Sequence, residues 1–221
     1  MNRSRSSVLT ASATLLAVCV IAWGQNVAPL RNPEGPQWKK PSPEHYRVRV
    51  DSTKGSFVME VTRSLAPLGA DRFFHLVASG FYNDSRFYRT IAGRFAQFGI
   101  AGDPQIAQIW RRAQFPDDKE SASNARGWFG FAMTAPDTRT TQIYICTNDS
   151  MKTQDGQGFA IFGQVVEGMD VVDALYSGYG EHSGGGMRAG HQDKLFEEGN
   201  AYLDREYPKL DHLIHAQIVK P

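Results

Sequence analysis

Cysteine is scarce: the chain has two in 221 residues, Cys19 and Cys146. Cys19 falls in an apolar N-terminal stretch, and if that stretch is removed Cys146 has no partner, which excludes an internal disulfide. Stability then has to come from packing, even in an oxidising compartment. A dominant charge is lacking too. The 24 basic residues stand against 23 acidic ones, a formal charge of +1, which leaves no electrostatic footprint for nucleic acid or an acidic membrane surface. The six histidines are scattered. Only His212 and His215 are close, and on a strand that separation puts them on opposite faces, so no metal site is expected. There is no Gly-x-Ser-x-Gly, P-loop or dinucleotide fingerprint. Nor does a nucleophile stand beside a base in a recognisable context, which leaves a hydrolase without its chemistry. The acidic pairs Asp117-Asp118 and Glu197-Glu198 read as solvated loop residues.

A long hydrophobic run is also missing. Val8 to Trp23 is mostly apolar, but it is short for a full membrane span and is interrupted by Thr10, Ser12 and Thr14. With Arg3 and Arg5 before it and Ala22-Trp23-Gly24 after it, it reads as a secretory leader, residues 1–24, cleaved after Gly24. An uncleaved anchor and lipoprotein processing at Cys19 are the alternatives; Leu16 fits the second, Val18 does not. Export to the periplasm or beyond is the expectation. Losing the leader removes two arginines and no acid, turning the formal charge from +1 to −1. Residues 25–44 carry five prolines and little apolar periodicity. They read as an extended tether, with docking through Trp38 as the alternative.

The remainder, 45–221, is long enough for one sizeable core and too short for two domains. Tyr46, Val48 and Val50 alternate, Thr53-Lys54-Gly55 turns, and Phe57, Met59 and Val61 share a face, which predicts a hairpin. Residues 67–79 change period: Pro67 can start a helix, Ala70, Phe73, Phe74 and Val77 form its apolar stripe, and Gly80 can end it. Further strands are expected near 86–91, 94–98, 128–133, 142–147, 160–166 and 212–219, with a short helix over 169–177. Many short strands, two helices and long loops predict a mainly β fold, a closed antiparallel barrel rather than a parallel sheet.

Residues 86–99, RFYRTIAGRFAQFG, concentrate the chemistry. Period-two alternation puts Phe87 and Arg89 on one side of a first run and Phe95 and Gln97 on one side of a second. In TTQIYIC, Gln142 and Tyr144 share a face while Ile143 and Ile145 point the other way. The result is an aromatic surface bearing a guanidinium and two amides, with no nucleophile and no metal ligand. Such a surface suits holding and twisting a peptide bond better than cutting one.

FYRTIAGRFAQFG resembles the cyclophilin signature. FAMTAPDTRTTQIYI and GFAIFGQVVEGMDVV resemble two further cyclophilin blocks in the same order, and the likeness runs over residues 45–219. QFGIAGDP and GNAYLDREYPKLD are similar to a bacterial-type branch of that family. The resemblance implies an eight-stranded barrel capped by helices at its ends. It implies a monomeric peptidyl-prolyl cis-trans isomerase that acts on proline-containing polypeptides without a cofactor, since no bond is made or broken. Matched by position, Arg89 would be the catalytic donor and Gln97 would hold the substrate carbonyl. Phe95 and Tyr144 would wall the proline pocket, Ala132 would lie along the groove, and Gln142 would support its floor or a substrate backbone contact. There are departures. Arg94 stands where an aromatic is usual and Phe95 where a methionine is. Tyr144 replaces a phenylalanine and would bring a hydroxyl to the pocket. A tryptophan is missing, with Thr153 or Gln154 in its place, and a pocket histidine is missing, with Phe159 or Gly158 nearest. These changes keep a second reading open, a non-catalytic module that binds proline peptides as a chaperone or scaffold.

Overall fold

The computed structural model describes residues 28–185 and 191–220, so the leader reading falls outside it. The strands described are β1 (His45–Ser52), β2 (Gly55–Thr62), β3 (Ser85–Arg86), β4 (Arg89–Ile91), β5 (Phe95–Phe98), β6 (Trp128–Phe131), β7 (Ile143–Cys146), β8 (Ile161–Glu167) and β9 (His212–Val219). Alternation in the first two runs produces the expected hairpin, with Val48 opposite Met59 and Val50 opposite Phe57. All named strands join one sheet in the order β3-β9-β1-β2-β8-β6-β7-β5-β4. Its two edges, β3 and β4, are separated in sequence only by Phe87 and Tyr88. The sheet therefore has to curl until both ends meet on the segment 85–91. With that segment taken as one interrupted strand, the strand number is the eight expected. The ends are joined by the chain itself and by a backbone bond from Phe87 N to Asp211 O, 2.9 Å, rather than by an unbroken ladder.

Two helices were expected; the described residues hold more. They are α1 (Pro67–Ala78), α2 (Pro104–Trp110), α3 (Met169–Asp173), α4 (Asp193–Glu198) and α5 (Asn200–Glu206). Periodicity found α1 and α3. It missed α2, α4 and α5 because each has at most seven residues, about two turns, too short to repeat an apolar stripe. The apolar face of α1 plugs the curled sheet, its Phe73 ring lying 5.5 Å from Phe162 and 5.8 Å from Phe129. The residue before α1, Ala66, has no side-chain oxygen to cap it. Asp118 reaches in from a distant loop instead, accepting from Leu68 N at 2.9 Å and Gly69 N at 2.7 Å. Burial raises the Asp118 pKa even though those two N–H groups pull it down. The pair Asp117-Asp118 is thus not simply solvated, since Asp117 ion-pairs the buried Arg139. Glu197 and Glu198 lie on α4 rather than in a loop, and Glu198 holds Arg205 at 2.9 Å.

Residues 28–44 lie against the domain, which corrects the tether reading. Leu30 is 4% exposed. Trp38 packs edge-on against Trp110 at 4.7 Å, and Trp110 Nε1 donates to Leu30 O at 2.8 Å. Ser42 N donates to Asp71 Oδ1 at 2.7 Å, which binds the end of the segment to α1. Proline misled here because its fixed φ suits the first turn of a helix as well as extended chain. In this segment the turns are 3-10, over Ala28–Arg31 and Pro36–Lys39.

Candidate active site

Strand register assembles the site. Arg89 on β4 is opposite Gln97 on β5, Gln97 is opposite Tyr144 on β7, and Tyr144 is opposite Gly130 on β6. Residues directly opposite across a ladder point to the same face. Ala96, Phe98, Ile143 and Ile145 point the other way, into the main core. The pleat therefore sorts one side of these strands to packing and the other to chemistry. On the chemical side sits a separate buried cluster of Phe95, Tyr144, Cys146 and Met151, flanked by Ile91, Ala132 and Phe159.

The Arg89 guanidinium lies 4.7 Å over the Phe95 ring, an arrangement in which the ring face attracts the charge. Its Nη1 donates to Gln97 Oε1 at 3.1 Å and its Nη2 to Glu181 Oε1 at 2.9 Å. Glu181 comes from a 3-10 turn, Gly180–Gly185. Its side chain is 41% exposed, but its Oε2 is buried without a hydrogen-bond partner, so the carboxylate that holds the arginine is only partly in contact with solvent. Each Nη carries a second proton beyond these bonds.

Gln97 is 4% exposed, and both of its amide protons are taken. Nε2 donates to the Tyr88 hydroxyl at 2.8 Å and to Gln142 Oε1 at 2.9 Å, while Oε1 faces Arg89. The side chain thus presents its acceptor to the guanidinium, Oε1 accepting from Arg89 Nη1. Gln142 does support the floor: its Oε1 also accepts from Tyr88, and its Nε2 donates to Gln192 Oε1 at 3.1 Å.

Tyr144 differs from expectation in its hydroxyl. The ring joins the pocket cluster, with Phe159 edge-on at 5.9 Å. The hydroxyl donates to Asn124 Oδ1 at 2.5 Å, because a buried phenol needs a partner. Asn124 is itself fully buried and held by Asp155 and the Phe159 carbonyl. Burial pushes the Tyr144 pKa well above the ordinary value, so the hydroxyl keeps its proton. Ala132 lies beside the cluster as expected. Met151 belongs to the same buried cluster.

Phe87 does not share a face with Arg89. It is buried in the main core, 5.3 Å from Phe98 and 6.5 Å from Phe57. The strand lapses between β3 and β4, so the two-residue parity resets there. A roomy cleft of about 1150 Å³ lies elsewhere, between Trp38, His75 and β9, and shares no residue with this site. Among the described residues no group of three or more His, Cys, Asp or Glu could hold a metal ion.

Gly130 makes room for the row. A Cβ there would stand 3.0 Å from the Tyr144 hydroxyl and 2.7 Å from Ala160 O. Gly130→Ala should therefore displace the Tyr144 ring and weaken prolyl-peptide binding by about tenfold, with a stability loss of about 1–3 kcal/mol. Peptide titration alongside a urea melt reads both, and unchanged affinity would show that the ring is not a wall of the pocket.

Sequence reasoning missed Tyr88, Asn124, Glu181 and Gln192. Tyr88 carried a signal, a polar-tipped ring next to the arginine inside the motif. Glu181 and Gln192 carried none, since they reach Arg89 and Gln142 across 92 and 50 residues of chain.

A family model described as cyclophilin type peptidyl-prolyl cis-trans isomerase matches residues 45–192. The chain is 32% identical over 136 residues to a peptidyl-prolyl cis-trans isomerase A of Dickeya dadantii, covering 58% of this chain and 70% of that one. It is also 32% identical over 147 residues to a peptidyl-prolyl cis-trans isomerase of Acinetobacter baylyi, covering 61% and 76%. Among solved structures it is similar to a cyclophilin type peptidyl-prolyl cis-trans isomerase of Cryptosporidium parvum. That match has a TM-score of 0.57 at 19% identity and covers 80% of this chain and 99% of that one, a likeness of fold.

Proposed function

The chain belongs to the cyclophilin-type peptidyl-prolyl cis-trans isomerase family, and we propose that Arg89 drives X–Pro bond rotation in extracytoplasmic polypeptides. Rotation is slow because amide resonance sets a barrier of about 18–20 kcal/mol. Twisting the bond removes the resonance, and the prolyl nitrogen gains a lone pair that can accept a hydrogen bond. A guanidinium fixed beside that nitrogen favours the twisted form over either planar form, which is what catalysis requires. The proline ring would enter against Phe95, Met151 and Tyr144, with Ala132 along the groove. The reaction needs no cofactor, because no covalent bond changes.

The observation that carries this reading is the row Arg89, Gln97, Tyr144, with the guanidinium held over Phe95 and bonded on its Nη atoms at 3.1 and 2.9 Å. Each Arg89 Nη keeps a second proton beyond its bonds to Gln97 and Glu181, which is what a bound peptide would use. A prolyl-peptide isomerisation assay on the exported chain tests it. Acceleration over uncatalysed exchange is expected. A folded chain that binds the peptide without accelerating it would leave only the binding-module reading. What supports the extracytoplasmic setting is the leader composition, Arg3 and Arg5 before the apolar run Val8 to Trp23. Mass spectrometry of the exported protein should find Gln25 at its N-terminus, whereas a lipid on Cys19 would overturn that cleavage site.

A further inference from the structure

We propose that Tyr88 is a positioning residue for the isomerisation, its hydroxyl setting the orientation of the Gln97 amide so that Oε1 faces the Arg89 guanidinium. This rests on Arg89 being the donor to the twisted bond. A glutamine amide has two ends of nearly equal shape and opposite hydrogen-bonding role. Turned one way, Gln97 offers an acceptor to Arg89; turned the other, it offers two protons to a group that is itself all donors. Nothing in the shape of the pocket separates the two orientations. Arg89 itself disfavours the second, and the partners around Nε2 hold the amide in the first.

Those partners are the Tyr88 hydroxyl at 2.8 Å and Gln142 Oε1 at 2.9 Å. The Tyr88 proton itself goes to Gln142 Oε1, so a hydroxyl lone pair is left to face Gln97. Burial raises the Tyr88 pKa far above the working range, so this proton stays in place. Gln192 continues the chain, accepting from Gln142 Nε2 at 3.1 Å. Tyr88, Gln97 and Gln192 are 1%, 4% and 5% exposed, so water cannot stand in for a missing partner. The break in the strand at 87–88 is what allows this. It sends the Tyr88 ring into the main core while its oxygen ends under the row that carries Arg89.

Tyr88→Phe keeps the ring and deletes only the oxygen. Nuclear magnetic resonance exchange on a prolyl peptide separates peptide affinity from the on-enzyme interconversion rate. The variant should interconvert the bound peptide about tenfold more slowly with affinity changed by less than about twofold. In a Gln97→Leu background the same change should cost less than about twofold in rate, because there is no amide left to orient. Equal losses in both backgrounds, no loss of rate, or a loss expressed in affinity would each overturn the proposal. If Tyr88→Phe does not fold, Gln142→Leu removes the acceptor shared by that hydroxyl and Gln97 Nε2 and should slow interconversion about tenfold in wild type but less than about twofold in the Gln97→Leu background; equal losses in both, or a normal rate, overturn it. Arg89→Ala in the same assay separates the two levels. A slow Arg89 variant beside a normal Tyr88 variant defeats this inference alone, whereas a normal Arg89 variant or an inactive wild type defeats both.

Discussion

Arg89→Ala is expected to lower kcat/KM toward a prolyl peptide by about a hundredfold to a thousandfold. The estimate is that for losing one preorganised donor aimed at charge that develops only in the transition state. The fall should lie mainly in the rate of the bound peptide, because the apolar cluster of Phe95, Met151 and Tyr144 remains. Arg89→Lys keeps the charge but loses the planar fork that bonds Gln97 and Glu181 together, so it should recover only part of the loss. Stability should fall modestly, by about 1–3 kcal/mol, mainly because the buried Gln97 Oε1 loses its donor. The pair with Glu181 is partly exposed at 18% and 41%, and such pairs contribute about 0.2–1 kcal/mol. A folded alanine variant with wild-type turnover would mean that the bond is twisted by something other than this guanidinium.

Trp110→Ala is expected to destabilise the protein by about 3–5 kcal/mol, among the largest losses available to one core substitution. Trp110 is fully buried at the end of α2, with Phe81 5.5 Å away and the Arg72 guanidinium 5.2 Å over its ring. It is also the anchor of the N-terminal segment through Trp38 and the Leu30 carbonyl. The variant should therefore show two changes, a melting temperature lower by about ten degrees and new protease cleavage between residues 28 and 44. Trp110→Phe keeps an aromatic ring and loses the indole N–H, so it should fall between. A melting curve identical to wild type, with the segment still resistant, would show that residues 28–44 are held by other contacts.

What could be read without coordinates followed from local rules. Period-two alternation located β1 and β2 closely, because one face of each is buried and the pleat repeats every second residue. The same parity put Gln142 with Tyr144, and Phe95 with Gln97, on their common side. Where the rule failed, it failed at an interruption. Phe87 left the Arg89 face because the pleat stops for two residues between β3 and β4. The prolines of 28–44 argued for extended chain, yet Pro29 and Pro36 sit at the start of short 3-10 turns, since one fixed φ serves both conformations.

Composition and alternation by themselves determined the mainly β architecture and which residues of the site strands share a face. The tertiary structure decided who meets whom there. It chose Glu181 for the arginine, set Gln97's amide against Tyr88 and Gln142, and turned the Tyr144 hydroxyl to Asn124. The physical reason is range. A strand's pleat is set by neighbouring residues, whereas these bonds join groups up to 92 residues apart, and only the curl and register of the sheet bring such groups within reach.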